Sequence, residues 1–454
     1  MRVTALISRL CFAGRGTFCS PSAQPTRSAS RLAEIPKSNE GRTDIACSVE
    51  NILNFTIFLQ KFFVRYNAKE QMSMKLKRKL SEFLKRETVL TVAVFLAIVS
   101  AVMTPPDREY AGYIDFRTLS ILFCLMTVMA GLQKLGVFRN IAKTLLRYTQ
   151  NTIQLVEVLI LLCFFFSMII TNDVSLITFV PFTFIVLRLT GEEAVKKLAV
   201  PVIVLQTVAA NLGSMLTPIG NPQNLYLYGK TQMSAGTFIL LMLPYSLVSL
   251  LLLVICGVIV AKRSRIEVRG AEVLLTEDEK LEQKKYLLPA YLLLFVLCLL
   301  TVAHLIPYPM TLVTVALAVL LLDRGTIIKV DYSLLLTFVG FFIFIGNMGR
   351  MPAFCDFLQK IIRGREVMTA VIASQVISNV PAALLLSGFT ENITALIIGT
   401  NLGGLGTMIA SMASLISYKQ VVRQIPGEKK KYFGWFTMAN MAFLMILVLE
   451  NCLL

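Results

Sequence analysis

A single acidic residue, Asp173, lies inside a long apolar run, directly after Thr171 and Asn172. A carboxylate deep in a bilayer costs roughly 3 kcal/mol on insertion scales, so a charge that is kept there usually has a function. Asp173 could bind a cation or carry a proton. The alternative is an N-cap of the following helix, next to the favourable end of its dipole. We expect Asp173 to be a cation-coupling residue.

A second polar stretch at 374–381 resembles the first. Asn379 takes the place that Asn172 has in the first stretch, and Val380 takes the place of Asp173. Short polar side chains and free carbonyls can replace the hydration shell of a small cation, and a helix N-terminus suits an anion. The two stretches predict substrate-binding residues at Thr171, Asn172, Ser378 and Asn379, with Asn172 and Asn379 also coupling cations.

Two further polar stretches, at 211–225 and 401–415, interrupt apolar sequence and match each other in one common register. Lipid cannot satisfy free backbone groups, so such breaks belong where they line a protein cavity. Paired broken helices are the best sequence indication of a transporter binding site. They predict substrate-binding residues at Thr217, Pro218, Asn221 and Thr407, and cation-coupling residues at Gly213, Asn401 and Gly403.

The elements that position these residues are apolar helices. The runs near 153–188 and 366–388 each consist of two legs meeting at a polar tip, which is typical of a re-entrant hairpin. Asp115 also matches Asp331 in the internal comparison. We therefore predict an all-α polytopic membrane protein with two inverted-topology repeats, at 88–260 and 286–454. Each repeat contains a re-entrant hairpin and a discontinuous transmembrane helix, and a charged cytoplasmic linker at 261–285 joins them.

Composition supports a membrane protein. The chain has 454 residues, 56% of them hydrophobic, and a net charge of +17. The basic residues lie mostly in short loops, as the positive-inside rule expects, so we predict no nucleic-acid partner. No phosphate-binding loop precedes Lys230, so we expect no ATP hydrolysis and no enzymatic activity. His304 is the single His, and we expect no metal or cofactor beyond Na⁺ or H⁺ as the coupling ion.

Topology follows from the same rule. Basic residues at 75–86 place the N-terminus in the cytoplasm. The repeat symmetry then places Arg350 and the basic residues after it outside, against the rule. Glu157 lies near the cytoplasmic end of its leg, where we expect a solvated or snorkelling side chain. We expect His304 to have a loop or interface role rather than to relay protons.

Residues 1–87 differ from the rest of the chain. Residues 1–33 carry five Arg, five Ser and no acid, which resembles a transit peptide. The alternative is a basic extension upstream of a true start at Met72 or Met74, where a basic segment precedes an apolar run as in bacterial inner-membrane proteins. We prefer the second interpretation and expect this extension to be disordered.

The stretches at 171–181, 217–225 and 378–381 resemble the ion transporter superfamily. It includes citrate transporter-like proteins, divalent anion:sodium symporters and arsenite permeases. The resemblance covers about 88–453. It implies a homodimer in which a mobile transport domain carries substrate past a scaffold, with one cation site at each hairpin tip. Sodium-coupled dicarboxylate symporters have Thr where Asp173 and Val380 stand here, and the Asn-Asp pair is more similar to arsenite permeases.

The resemblance implies a secondary active transporter of small inorganic or carboxylate anions, driven by a sodium or proton gradient in a bacterial inner membrane. An arsenite efflux permease or a sodium/proton antiporter is an alternative. A channel or a non-transporting scaffold belongs to a different class, which has no need of costly buried breaks.

Overall fold

The computed structural model describes residues 87–266 and 287–454, and regular structure within these ranges is helical, without a β-strand. The prediction of an all-α chain is confirmed. Predictions for residues 1–86 and for 267–285 of the linker lie outside the described residues. The first part contains α1 (Thr88–Met103), α2 (Tyr110–Tyr113), α3 (Phe116–Lys134), α4 (Val137–Arg147), α5 (Thr152–Ile170), α6 (Asn172–Thr190), α7 (Glu192–Ser214), α8 (Pro222–Gly229) and α9 (Ala235–Ser264).

The second described part has a similar order of long and short helices. It contains α10 (Leu287–Val302), α11 (Tyr308–Leu322), α12 (Arg324–Ile327), α13 (Tyr332–Gly349), α14 (Pro352–Ile362), α15 (Glu366–Ile377), α16 (Asn379–Leu386), α17 (Ile393–Leu402), α18 (Met412–Gln424) and α19 (Lys429–Leu453). Across the described ranges, seven helices are long and apolar enough to cross a membrane. We call α5–α6 hairpin 1, α15–α16 hairpin 2, residues 215–221 break 1 and residues 403–411 break 2.

Helix starts in the two parts show the same capping chemistry at the positions that match in sequence. The Asp115 side chain accepts a hydrogen bond from the Thr118 backbone at the start of α3. Asp331 accepts from the Leu334 backbone at the start of α13, with nearly the same backbone angles. Such caps satisfy one of the free N–H groups at a helix start. This agreement supports a duplication.

The long helices pack in two groups. α1 lies against α13, and α3 lies against α10 and α11. In the other group, α7 contacts α5, α6, α9 and α19, while α15 packs on α17 and α18 packs on α6. Each group therefore combines helices from both parts of the chain, and the two hairpins and both breaks belong to the second group.

Contacts with acidic residues account in part for the position of Arg350, which departs from the positive-inside rule. Its guanidinium donates to Asp107 at 2.7 Å, contacts Glu109, and lies over the Tyr113 ring. The hydrogen bond from Arg350 lowers the pKa of Asp107 below its usual range. The loop after α1 and the end of α13 are thus on one face, in agreement with the placement of Arg350 by symmetry.

Two further contacts tie the first part to the second at helix ends. Lys134 at the end of α3 pairs with Asp323 at 2.6 Å. At the start of α3, Arg117 lies 2.9 Å from a ring nitrogen of His304, in the loop between α10 and α11. The predicted loop position of His304 is confirmed.

Candidate functional site

The tip of hairpin 1 is a single residue in an unusual conformation. Thr171 ends α5 and precedes α6 with φ 72° and ψ 153°. Residues without a glycine's freedom rarely adopt such angles, and each instance costs about 1–3 kcal/mol. The two legs pack on each other, and the Ser175 hydroxyl donates to the Cys163 carbonyl at 3.3 Å. The strained tip is therefore held by the surrounding hairpin.

Hairpin 2 has the same tip geometry. Ser378 ends α15 and precedes α16 with φ 75° and ψ 154°. Ser378 comes directly before Asn379, just as Thr171 comes directly before Asn172. Strain of this kind is concentrated at functional sites. It occurs here at both predicted tips.

Each tip is hydrogen-bonded to the break of its own part. The Asn172 backbone N–H donates to the Gly220 carbonyl at 3.2 Å, and the Asn379 N–H donates to the Ala410 carbonyl at 2.9 Å. Thr217 donates its hydroxyl to Met168 O, and Thr407 donates in the same way to Gln375 O. The last two contacts tie each break to the leg just before its tip. All of these partners occupy matching positions in the two internal copies.

The two broken helices exchange hydrogen bonds with each other. Asn211 of α7 accepts from Ser411 of break 2 at 2.9 Å, and Asn401 of α17 accepts from Asn221 of break 1 at 3.1 Å. Asn211 also accepts from the Asn172 side chain at 3.1 Å. Because these groups are buried, leaving one unpaired costs about 1–3 kcal/mol. The tips are thus connected through the broken helices.

Gly213 and Gly403 contact the hairpin legs rather than the residues after the tips. A Cβ at Gly213 would lie 2.5 Å from the Ser167 hydroxyl, and a Cβ at Gly403 would lie 2.6 Å from that of Ser374. Both glycines therefore allow the close approach of a broken helix to the preceding leg. A role in ion coupling would act through this packing.

Asp173 lies at the edge of a cavity of about 180 Å³. Thr171 and Asn221 line the same cavity, together with apolar side chains of α3. One carboxylate oxygen of Asp173, Oδ1, is buried and has no hydrogen-bond partner among the described residues. A buried polar group without a partner is unfavourable unless a ligand or a proton satisfies it. The geometry therefore leaves Asp173 available for a cation or a proton.

The second tip offers no equivalent group. Val380 is buried, and its backbone N–H donates to the Asn379 side chain. Around it, the Gln375 side chain fills the space beside break 2, where it accepts from the Thr407 backbone at 2.8 Å. The two tips have the same backbone conformation but differ in charge.

The remaining predicted residues are placed as follows. Pro218 is buried within break 1, and Asn401 donates to Asn224 at 2.7 Å. Asn211 joins the first tip to break 2 but is not among the predicted site residues. Its match to Asn401 at the start of the second polar stretch could have identified it as a site residue.

The expectation for Glu157 was wrong. Both of its carboxylate oxygens are buried without a partner among the described residues. Gly257 of α9 leaves room for the Glu157 carboxylate, since a Cβ at position 257 would lie 2.3 Å from Glu157 Oε1. The position of Glu157 near a helix end predicts access to water, but the long helix α9 covers it.

Residues 78–395 match the family model of the citrate transporters, which is well over half of the chain. The chain belongs to the citrate transporter family. The match includes hairpin 1, break 1 and hairpin 2, and it ends before break 2. The resemblance found in the sequence is thereby confirmed.

The relatives agree with this assignment. The chain is 33% identical over 332 residues to an uncharacterized transporter of Methanocaldococcus jannaschii, covering 73% of this chain and 87% of the relative. It is 31% identical over 316 residues to the inner membrane protein YbiR of Escherichia coli, covering 69% and 82%. It is 32% identical over 153 residues to the silicon efflux transporter LSI3 of Oryza sativa, covering 33% and 30%. The chain is a multi-pass membrane transporter.

Proposed function

We propose that the protein is a secondary active transporter of a small inorganic or carboxylate anion, driven by a proton or sodium gradient. The observation that carries this proposal is Asp173. Its unpartnered oxygen lies beside the strained Thr171, in a cavity lined by hairpin 1 and break 1. Within the proposal, Thr171, Asn172, Asn221 and their counterparts in the second part contact the substrate, and Asp173 exchanges the coupling ion.

An elevator-type movement is part of the proposal. The hairpins and breaks pack in one group of helices, while α1, α3, α10, α11 and α13 form the other. The group that contains the hairpins would act as the mobile body, and the group of α1, α3, α10, α11 and α13 as the scaffold of a homodimer in a plasma membrane. The equal tip geometries support two repeats, which we propose to be inverted in the membrane.

A second candidate is efflux of an oxyacid. The Asn172-Asp173 pair at the first tip resembles that of arsenite permeases, and a third of the chain is similar to a silicon efflux transporter. A channel or a scaffold without transport activity is less well supported, because the matched relatives include transporters of similar length.

Flux in proteoliposomes tests the proposal. The purified full chain is reconstituted, and uptake of sulfate, phosphate, citrate, succinate and arsenite is measured with imposed proton or sodium gradients of either direction. We expect flux of at least one of them to follow a gradient. Flux of none under any gradient would contradict secondary transport.

A further inference from the structure

The cavity at hairpin 1 reaches the connection between α11 and α13. Lys329 and Asp331 of this connection line the cavity that Asp173 also lines. Lys134 pairs with Asp323 at the start of the same connection, so this is the face where α3 ends. The topology predicted from the basic loops makes it the cytoplasmic face. The cavity thus connects the tip of hairpin 1 to one side of the molecule.

The charges that line the cavity are few and unequal. Among the described residues, only Asp173, Lys329 and Asp331 carry charge there, and most of the others are apolar. Lys329 is exposed, and its ammonium group has no partner within the described part of the chain. Asp331 caps α13 through one carboxylate oxygen, 3.0 Å from the Leu334 nitrogen. The wall therefore offers one cation and two carboxylates, so each negative charge that an anion carries beyond the first is opposed without a compensating cation.

The cavity is also small. Its volume of about 180 Å³ lies below the roughly 300–1,000 Å³ of pockets that bury drug-sized ligands. It can hold a small oxyacid or a short monocarboxylate with a few waters. Removing two or three carboxylates of one ion from water requires compensating charges, which this wall does not supply.

Building on the proposed function, we propose that Lys329 is the counter-ion for a substrate with one negative charge, and that Asp331 disfavours anions with two or three. The substrate class would then be small monoanions and their uncharged conjugate acids, rather than tricarboxylates. Lys329 and Asp331 act as specificity-determining residues at the mouth of the cavity. Asp173 keeps its separate role in coupling.

The test compares probes of different charge on the full chain. Lactate, succinate and citrate carry one, two and three charges near neutral pH, and boric acid is uncharged. Binding in detergent is measured by calorimetry and uptake is measured in proteoliposomes, for wild type, Lys329→Gln and Asp331→Asn. Asn retains the capping oxygen at 331. Lys360→Gln is the matched control, because Lys360 is an exposed cation outside the cavity.

We expect wild type to bind lactate or boric acid more tightly than citrate. Lys329→Gln should weaken lactate binding about 3- to 10-fold, as loss of one partly screened charge predicts, and should leave boric acid unchanged. Asp331→Asn should strengthen succinate binding about threefold, and Lys360→Gln should change none of these values.

Two results would overturn the inference. One is tightest binding of citrate by wild type, and the other is absence of any charge-dependent effect of Lys329→Gln on lactate beyond that of the control. Failure to bind any singly charged or neutral probe would overturn it as well. Binding with the expected dependence on Lys329, but without gradient-driven flux, would support this inference and contradict the proposed function instead.

Discussion

Replacing Gly213 by Ala tests the contact between the first broken helix and hairpin 1. The added Cβ would lie 2.0 Å from the Phe164 carbonyl oxygen and 2.5 Å from the Ser167 hydroxyl. Ordinary contacts of a Cβ begin at 3.4 Å, so the helix and the leg would have to move apart until the first of these distances reached that value. The Phe164 oxygen belongs to the backbone of α5 and cannot rotate away.

The expected cost follows from this separation. Overpacking of a close contact costs about 1–3 kcal/mol. Movement of α7 also weakens the Asn172–Asn211 hydrogen bond, which adds about 1 kcal/mol. The better helix propensity of Ala returns up to about 1 kcal/mol. We expect Gly213→Ala to lower the free energy of unfolding by about 1–3 kcal/mol and to reduce flux, because the tip shifts against its break.

Unfolding in detergent, followed by fluorescence or light scattering, and flux in proteoliposomes would measure both effects. Gly112→Ala is the control, since no atom lies within 4 Å of the added Cβ. The losses of stability and flux in Gly403→Ala should lie between those of Gly112→Ala and Gly213→Ala, because the closest neighbour of the added Cβ is the Ser374 side chain rather than a backbone oxygen. If Gly213→Ala matched Gly112→Ala in stability and flux, the role assigned to this close approach would be refuted.

Three further predictions concern coupling, strain and pH. Asp173→Asn keeps size but removes the charge, so gradient dependence of flux should be lost while the same oligomer is purified, and Val380→Ala should be far milder. Asp173 lies in the first turn of α6 and does not cap it, so unchanged gradient-driven flux in Asp173→Asn would leave Asp173 only a favourable interaction with the α6 dipole. Thr171→Gly should relieve about 1–3 kcal/mol of backbone strain and cost about 0.5–1 kcal/mol of chain entropy, so the melting temperature should rise. Flux should fall because the hydroxyl is lost, and a lower melting temperature would contradict the assignment of strain to Thr171. Burial and the neighbouring Arg117 lower the pKa of His304 below 6.5, so its contribution to stability is present above that pH and is lost as the pH falls through the folded-state value. Between pH 7.5 and 5, His304→Gln should therefore lose less stability than wild type, and equal pH profiles would argue against this assignment.

The backbone of the site could be predicted from the sequence because lipid limits the alternatives. Polar residues and prolines inside apolar runs must lie where protein satisfies their backbone groups. Internal matching then located both tips, and Thr171 and Ser378 adopt the same strained angles. Repetition thus provided a check that a single stretch of sequence cannot provide.

Packing between distant elements could not be predicted in the same way. The carboxylate oxygens of Glu157 are buried because α9 covers them, and nothing in the sequence near Glu157 indicates that neighbour. The exchange of bonds between Asn211 and Ser411 likewise depends on how the two broken helices meet. Lys329 and Asp331 were not selected because their shared cavity with Asp173 is formed only by the folded chain.

The hydrogen bonds between the two broken helices also determine when each part of the site can form during synthesis. Asn211 and its partner Ser411 are separated by 200 residues. At roughly 5–20 residues per second, the ribosome needs about 10–40 s to make that segment. Throughout this interval, Asn211 has Asn172 of its own half as a partner, but Ser411 does not yet exist. The hydrogen bonds between the two halves can therefore form only after the second polar stretch has been made. Proteolysis of ribosome-stalled chains of increasing length would show protection of the end of α7 around Asn211 only after residue 411 has emerged.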